Sequence, residues 1–321
     1  MQLRSILLKD IDPEDYSYRI SFNKTNDNSL YHSIQKIGLL QPLICQQKNT
    51  TTFRLVCGFK RFQVLKQLDI DSVDTYVVPA QEKSIDVFTI ALQDNLTIHM
   101  FSPIDMSMII NKLSNEFGVN RKQIIQKYFP LIGLKQNPKV YQRYKPLADL
   151  PEKWQQGILD DDVSIETASH IIHWGNKDRE SLWRLIKELK PGKNRQREII
   201  RLLEDVARIE HKHITEILNQ EDAASILNEK KLTPSQKMGR FKDFLWKQRY
   251  PRYMKTEQRF NDLLLQAKCP PEVKLEHPPF FEGETFNVSF AFKNADDFEQ
   301  KVQFLQKLNE NSMIKKITHL P

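Results

Sequence analysis

Apolar positions along the first hundred residues switch between two periods. Leu30, Ile34 and Ile37 recur every three or four residues and stop at Gly38, which predicts an amphipathic helix. Pro42-Leu43-Ile44-Cys45 and Phe53-Arg54-Leu55-Val56-Cys57 predict short strands joined by a polar turn over 46–52. Gly58 interrupts, and Phe62, Leu65 and Leu68 then mark one face of a second helix. Thr75 to Val78 reads as a third strand, before a helix over Ser84 to Leu96. Beyond Ser102-Pro103 only helical periodicity remains: Ile104 to Phe117, Arg121 to Phe129 and, after Gly133 and Pro138, Lys139 to Leu147. A helix pair is expected between Glu152 and Trp174, then a charged helical stretch from Asp178 to about Leu227, broken at Pro191-Gly192. Near Pro234 the composition shifts. Phe286 to Phe292 alternates strictly, as a half-buried strand does, and Phe298, Val302, Leu305 and Leu308 mark a closing helix. The pattern predicts a multi-domain α+β protein. An α/β region covers 1–101, an all-α region 102–232 and a small α+β unit 233–321.

Composition narrows the class. With 321 residues, 40% of them hydrophobic and 28% charged, the chain resembles ordinary globular proteins and not disordered ones. No apolar run approaches membrane-spanning length, and the start Met1-Gln2-Leu3-Arg4-Ser5 lacks the pattern of a secretory signal, so a cytoplasmic protein with no membrane partner is expected. Cys45, Cys57 and Cys269 form no CxxC pair, which argues against a disulfide framework or a structural zinc site. A formal net charge of +7 favours a polyanionic partner only if the Lys and Arg residues cluster.

The segment with most chemistry is Val56-Cys57-Gly58-Phe59-Lys60-Arg61, where a strand ends in glycine and a basic helix begins. Free N–H groups at that helix start, with Lys60 and Arg61, make an anion site of the kind that holds phosphates. The plain alternative is a tight strand-to-helix turn with solvated cations. Two companions weigh against it: Gly38-Leu39-Leu40-Gln41-Pro42 ahead of the strands, and Asp94-Asn95 at the end of a later helix. An adjacent carboxylate and amide can hold a hydrated Mg²⁺ through hard oxygens.

These residues, in this order, resemble the N-terminal domain of the ParB partition family, whose fold is shared by sulfiredoxin-like proteins. The family pattern is a serine-isoleucine helix ending in G-L-x-Q-P, a strand into G-E-R-R, and E-N before an N-P-(I/V)-E helix start. The counterparts are Ser33-Ile34 with Gly38 to Pro42, Gly58 to Arg61, Asp94-Asn95, and Ser102-Pro103-Ile104-Asp105. Leu150-Pro151-Glu152 and Val163 to Ala168 continue the match into the helical region. The resemblance implies binding of CTP with Mg²⁺, a helix-turn-helix that reads a centromere-like double-stranded DNA site, and nucleotide-driven closure of a dimer around DNA. Carried over, Gly58, Lys60 and Arg61 contact phosphates, Gly38, Gln41 and Pro42 face the base, and Asp94 and Asn95 hold metal and phosphate. Four departures stand out: Phe59 for glutamate, Lys60 for arginine, Asp94 for glutamate, and Ile98 for an arginine. They leave open both the choice of CTP and its hydrolysis, which would amount at most to a weak CTPase activity.

The expected recognition helix runs from about Asn137 to Ala148 after a turn at Gly133. It presents Lys139, Gln142 and Arg143, with Lys135 and Gln136 just ahead of it. Pro130 interrupts the preceding helix in this reading. The unit beyond Tyr250 is too small to hide both faces of its strand, which predicts a homodimer. A ParA-type ATPase is a family partner that this sequence does not indicate. Two other functions compete with a nucleotide-gated, nucleoid-associated partition or regulatory protein. One is a transcriptional regulator with a decayed pocket. The other is a small-molecule kinase or nuclease on the same N-terminal fold.

Overall fold

The alternating segments of the first eighty residues form one mixed five-stranded sheet. Its strands are β1 (Gln2–Leu7), β2 (Ile11–Asp12), β3 (Leu43–Gln47), β4 (Phe53–Cys57) and β5 (Ser72–Val78), in the order β1-β5-β3-β4-β2. Here β1–β5 and β3–β4 are antiparallel, while β3–β5 and β4–β2 are parallel. Alternation is clearest in β5, where Val73, Thr75 and Val77 are buried and Ser72, Asp74 and Tyr76 are not. The structure, a computed structural model, describes residues 1–20, 28–96 and 100–320, so Ile98 lies outside the described residues.

Helices α1 (Asn28–Ile37) and α2 (Phe59–Gln67) pack on one face of the sheet, burying Ile34, Phe62 and Leu65 with Leu43, Cys45 and Leu55. Helix α3 (Ser84–Leu96) covers the other face through Val87, Phe88, Ala91 and Leu92. That second core does not stop at residue 101. It continues through Ile109, Ile110, Ile124, Tyr128, Phe129 and Tyr141, so sheet and helical region are packed on shared apolar side chains.

The helical region begins with α4 (Pro103–Asn111), started by Pro103 and a reciprocal cap between Ser102 and Asp105, and prolonged by a π turn over Lys112–Glu116. Then follow α5 (Arg121–Gln123), a π turn (Ile124–Tyr128) and α6 (Phe129–Leu131), end to end. The expected interruption at Pro130 is absent: the helical path runs to Leu131, because the wide π turn precedes Pro130 and Pro130 stands at N2 of α6, where its missing N–H costs little. Next come α7 (Pro138–Tyr144), α8 (Glu152–Leu159), α9 (Ile165–His170), α10 (Asn176–Leu189) and α11 (Lys193–Glu210). Two compact units are distinguished, Met1–Arg197 and Glu198–Pro321.

The second unit carries α12 (Ile214–Leu218), α13 (Glu221–Asn228), α14 (Pro234–Arg249), α15 (Pro251–Gln266), β6 (Val273–Glu276), β7 (Asn287–Phe290), α16 (Ala295–Glu310) and α17 (Met313–Thr318). β6 and β7 form a two-stranded antiparallel sheet. The Phe-rich segment is shorter and wetter than its alternation predicts. The strand ends at Phe290, and Val288 in the strand, Phe292 beyond it and Phe298 on α16 are 45%, 57% and 43% exposed, because two short strands give little surface to pack against. Leu275, paired with Val288, packs with Phe260 and Ile317.

Candidate nucleotide pocket and nucleic-acid interface

β4 delivers the chain to Gly58, which adopts φ 92° as the N-cap of α2. An added Cβ there would lie 2.7 Å from Leu43 Cδ2 and 3.2 Å from Arg61 Nε, so position 58 excludes side chains both by conformation and by space. No side chain caps α2, and the first bond back into the turn runs from Phe62 N to the Gly58 carbonyl (2.8 Å). The N–H groups at the start of this nine-residue helix therefore face outward as donors, at its positive end.

Arg61 brings the separated sequence motifs together. Its Nη1 donates to the carbonyls of Gln41 (2.7 Å) and Pro42 (3.1 Å), fixing the end of the Gly38–Pro42 loop against α2. Gly38, at φ 76°, closes α1 with its N–H on the Ile34 carbonyl (2.9 Å) and turns the chain into that loop. Burial pushes the Arg61 guanidinium pKa down, while Asp94 and Cys57 oppose that shift. Asp94, from the last turn of α3, therefore joins the same cluster, beside Cys57, whose thiol is pushed up by burial first and by the neighbouring Asp94 second. Cys45 is pushed up to about 12 by burial alone, so neither thiol is a nucleophile at neutral pH. Lys60 is exposed at the helix start. Phe59, at the family's glutamate position, stacks on Tyr16 with centroids 6.4 Å apart and adds apolar surface where a carboxylate was expected.

The donor set suits phosphate better than a free metal. Gly58 brings bare backbone close beside a guanidinium, and Lys60 adds a second cation. Asn95 donates its amide nitrogen to the Ala91 carbonyl (2.8 Å), which leaves its oxygen as the group able to meet a cation. Among the described residues no group of three or more His, Cys, Asp and Glu side chains could hold a metal ion. Mg²⁺ would therefore be held mainly by phosphate oxygens and water, with Asp94 and Asn95 as its protein contacts.

The expected DNA-reading residues are all exposed, but they are not equivalent. Asn137 caps α7 by accepting from Lys139 N (2.8 Å), and Pro138 begins it. Lys139, Gln142 and Arg143 then share one helix face by their i, i+3, i+4 spacing. Lys135 lies in the turn before them. Gln136 is committed by its nitrogen: Nε2 donates to the Gln126 carbonyl (2.8 Å), the oxygen four residues before Pro130, to which proline cannot donate. Arg143 is paired with Glu166 (3.3 Å). Sequence reasoning passed over Arg121 and Glu166. Arg121 Nη2 donates to the Pro138 carbonyl (3.1 Å) and its guanidinium lies over the Tyr141 ring (5.2 Å), tying α5 to the start of α7. Asn120, which caps α5, was the signal in the sequence for where that helix begins.

Among the described residues no helix is long and apolar enough to cross a membrane. Comparison with known proteins supplies the remaining facts. Residues 1–96 match the ParB N-terminal domain as a family. The chain is 26% identical over 177 residues to stage 0 sporulation protein J of Bacillus subtilis, covering 55% of this chain and 60% of that protein. It is 22% identical over 125 residues to a probable chromosome-partitioning protein ParB of Neisseria meningitidis, covering 39% of this chain and 43% of that protein. It thus spans less than two thirds of either relative's length. A C-terminally truncated ParB from Caulobacter crescentus, solved with CTP-γ-S, aligns over 59% of this chain and 100% of that one, at 17% identity and a TM-score of 0.27.

Proposed function

We propose, from the match of residues 1–96 to the ParB N-terminal domain, that the chain is a sequence-specific DNA-binding protein gated by a Mg²⁺-nucleoside triphosphate, CTP by family resemblance. It would act on the nucleoid in the cytoplasm, in partition or in regulation. The observation that supports this reading most is the Arg61 guanidinium held between the Gly38–Pro42 loop and the opening of α2. One side chain thereby joins the two segments that would face the base and the phosphates, so occupancy of the site changes the groups that hold the loop. The phosphates would meet the α2 N–H groups, Lys60 and Arg61; Mg²⁺, when bound with them, neutralises phosphate charge. Lys135, Gln136, Lys139, Gln142 and Arg143 would supply the DNA contacts, and the exposed phenylalanine cluster of 233–321 would pair two copies. The functional division is 1–101 for nucleotide, 102–232 for DNA and 233–321 for dimerisation.

A second reading, a DNA-binding regulator without nucleotide gating, is favoured by Phe59 on Tyr16 and by Asp94, a negative charge in the neighbourhood of Arg61 that a phosphate would have to share. Calorimetric titration of CTP, ATP and ADP into the full chain, with and without duplex DNA, separates the two. Binding of one triphosphate, altered by DNA, supports gating. Heatless titrations with intact DNA binding select the second reading.

A further inference from the structure

The start of α9 holds a carboxylate between two arginines beside the expected recognition helix. Glu166 Oε1 lies 3.3 Å from Arg143 Nη2, and Glu166 Oε2 lies 3.3 Å from Arg197 Nε. Glu166 is the second residue of α9, where the helix's positive end favours an anion. The frame around it is buried and fully bonded. Gln196, 3% exposed, accepts from Ser164 N (3.1 Å) and donates to the carbonyls of Asp162 (2.7 Å) and Pro191 (2.9 Å). Ser164 in turn caps α9 by accepting from Thr167 N (3.0 Å). Glu166 and Arg197 are thus anchored through adjacent residues, while the three charged side chains remain 37–44% exposed and accessible to a competing ligand.

Resting on the DNA-binding reading of α7, we propose that Glu166 competes with DNA for Arg143 and so lowers the affinity of α7 for duplex DNA. An exposed ion pair of this kind does little for the fold. It does set the exchange that Arg143 makes on reaching DNA: a phosphate oxygen or a guanine edge must displace the carboxylate, and the cost of breaking the pair is subtracted from either contact alike.

The test uses the full chain and two fluorescent duplexes of equal length and composition: one selected by the wild-type protein from a random pool, the other its shuffled sequence. Anisotropy titrations over a salt series read affinity and salt slope. Glu166→Gln is expected to tighten binding to both duplexes by a similar factor, about two- to fivefold, with the log–log salt slope steeper by about one per phosphate newly contacted. Adding Arg143→Ala should abolish the gain. Glu180→Gln makes the same change of charge on α10, where Glu180 pairs with Lys153 and Arg184, and should keep the wild-type affinities. No tightening on either duplex, an equal gain in Glu180→Gln, or a gain that survives without Arg143 overturns the proposal while leaving DNA binding intact. If the wild type binds neither duplex, the DNA-binding reading falls, and this inference with it.

Discussion

Gly58 and Arg61 show how much of the proposed nucleotide pocket rests on single atoms. Gly58→Ala must place a methyl 2.7 Å from Leu43 Cδ2 at a φ of 92°. Strain and clash together should cost about 2–4 kcal/mol, read as a lower urea midpoint at unchanged slope. Arg61→Ala removes the donor to the Gln41 and Pro42 carbonyls and, on the proposed function, a phosphate contact as well. Triphosphate affinity should fall more than tenfold, about 2–3 kcal/mol, in a titration that leaves the protein folded; unchanged affinity would remove Arg61 from the pocket. A third residue-scale expectation concerns pH. Burial raises the Asp15 pKa, but hydrogen bonds from Ser17 and Lys48 and the charge of Arg54 outweigh it and leave that pKa lowered. A carboxyl depressed in the folded state contributes stability above its unfolded pKa, about 3.9, and that contribution is lost as pH falls through the folded value. Asp15→Asn should therefore reduce stability at neutral pH and flatten its dependence on acid, measured by melts from neutrality to about pH 3.

At the scale of elements, the segment proposed to read DNA depends on polar side chains that repair its backbone. Gln136 satisfies the carbonyl that Pro130 cannot, and Asn137 caps α7. Gln136→Ala and Asn137→Ala should each cost about 1 kcal/mol of stability. Lys139→Ala should cost none, because its ammonium is not part of either repair. On DNA the order reverses. Losing Lys139 as a phosphate contact should weaken all sequences alike and flatten the salt slope by about one unit. Gln142→Ala should cost about 1–3 kcal/mol and relax preference at one base pair. Gel shifts on a selected site across a scan of 135–145 check both patterns. A scan with no effect on affinity or preference would move DNA contact elsewhere, toward the charged helices beyond Asp178.

For the whole molecule, the exposed phenylalanines at the end of β7 and on α16 bear on assembly. Phe292 and Phe298 stack edge to face at 5.0 Å, yet both are close to half exposed, and Phe290 joins them at 6.5 and 5.8 Å. An exposed aromatic cluster of this kind gains stability when a second copy covers it. Sedimentation equilibrium should show a dimer for the full chain, and Phe292→Ser with Phe298→Ser should raise its dissociation constant at least tenfold. A wild-type chain that stays monomeric at high micromolar concentration would refute pairing through this cluster.

Periodicity alone determined most elements of the chain. The strand over Phe53–Cys57 and the helix over Ser84–Leu96 lie where the pattern of apolar residues puts them, because each buries one stripe or one face. Glycines 38 and 58 were legible as breaks, since their positive φ is a local matter. The two-residue β2 and the four-residue β6 were not legible, being too short to show alternation and existing only through their partners. The sequence also put the pocket motifs in order without joining them. That Arg61 ties the Gly38–Pro42 loop to α2, that Gln136 serves Gln126, and that Glu166 lies between Arg143 and Arg197 are matters of tertiary structure alone. Each depends on where a long polar side chain ends after the backbone has folded, and hydrogen bonds and ion pairs between such residues leave no period in the sequence to read.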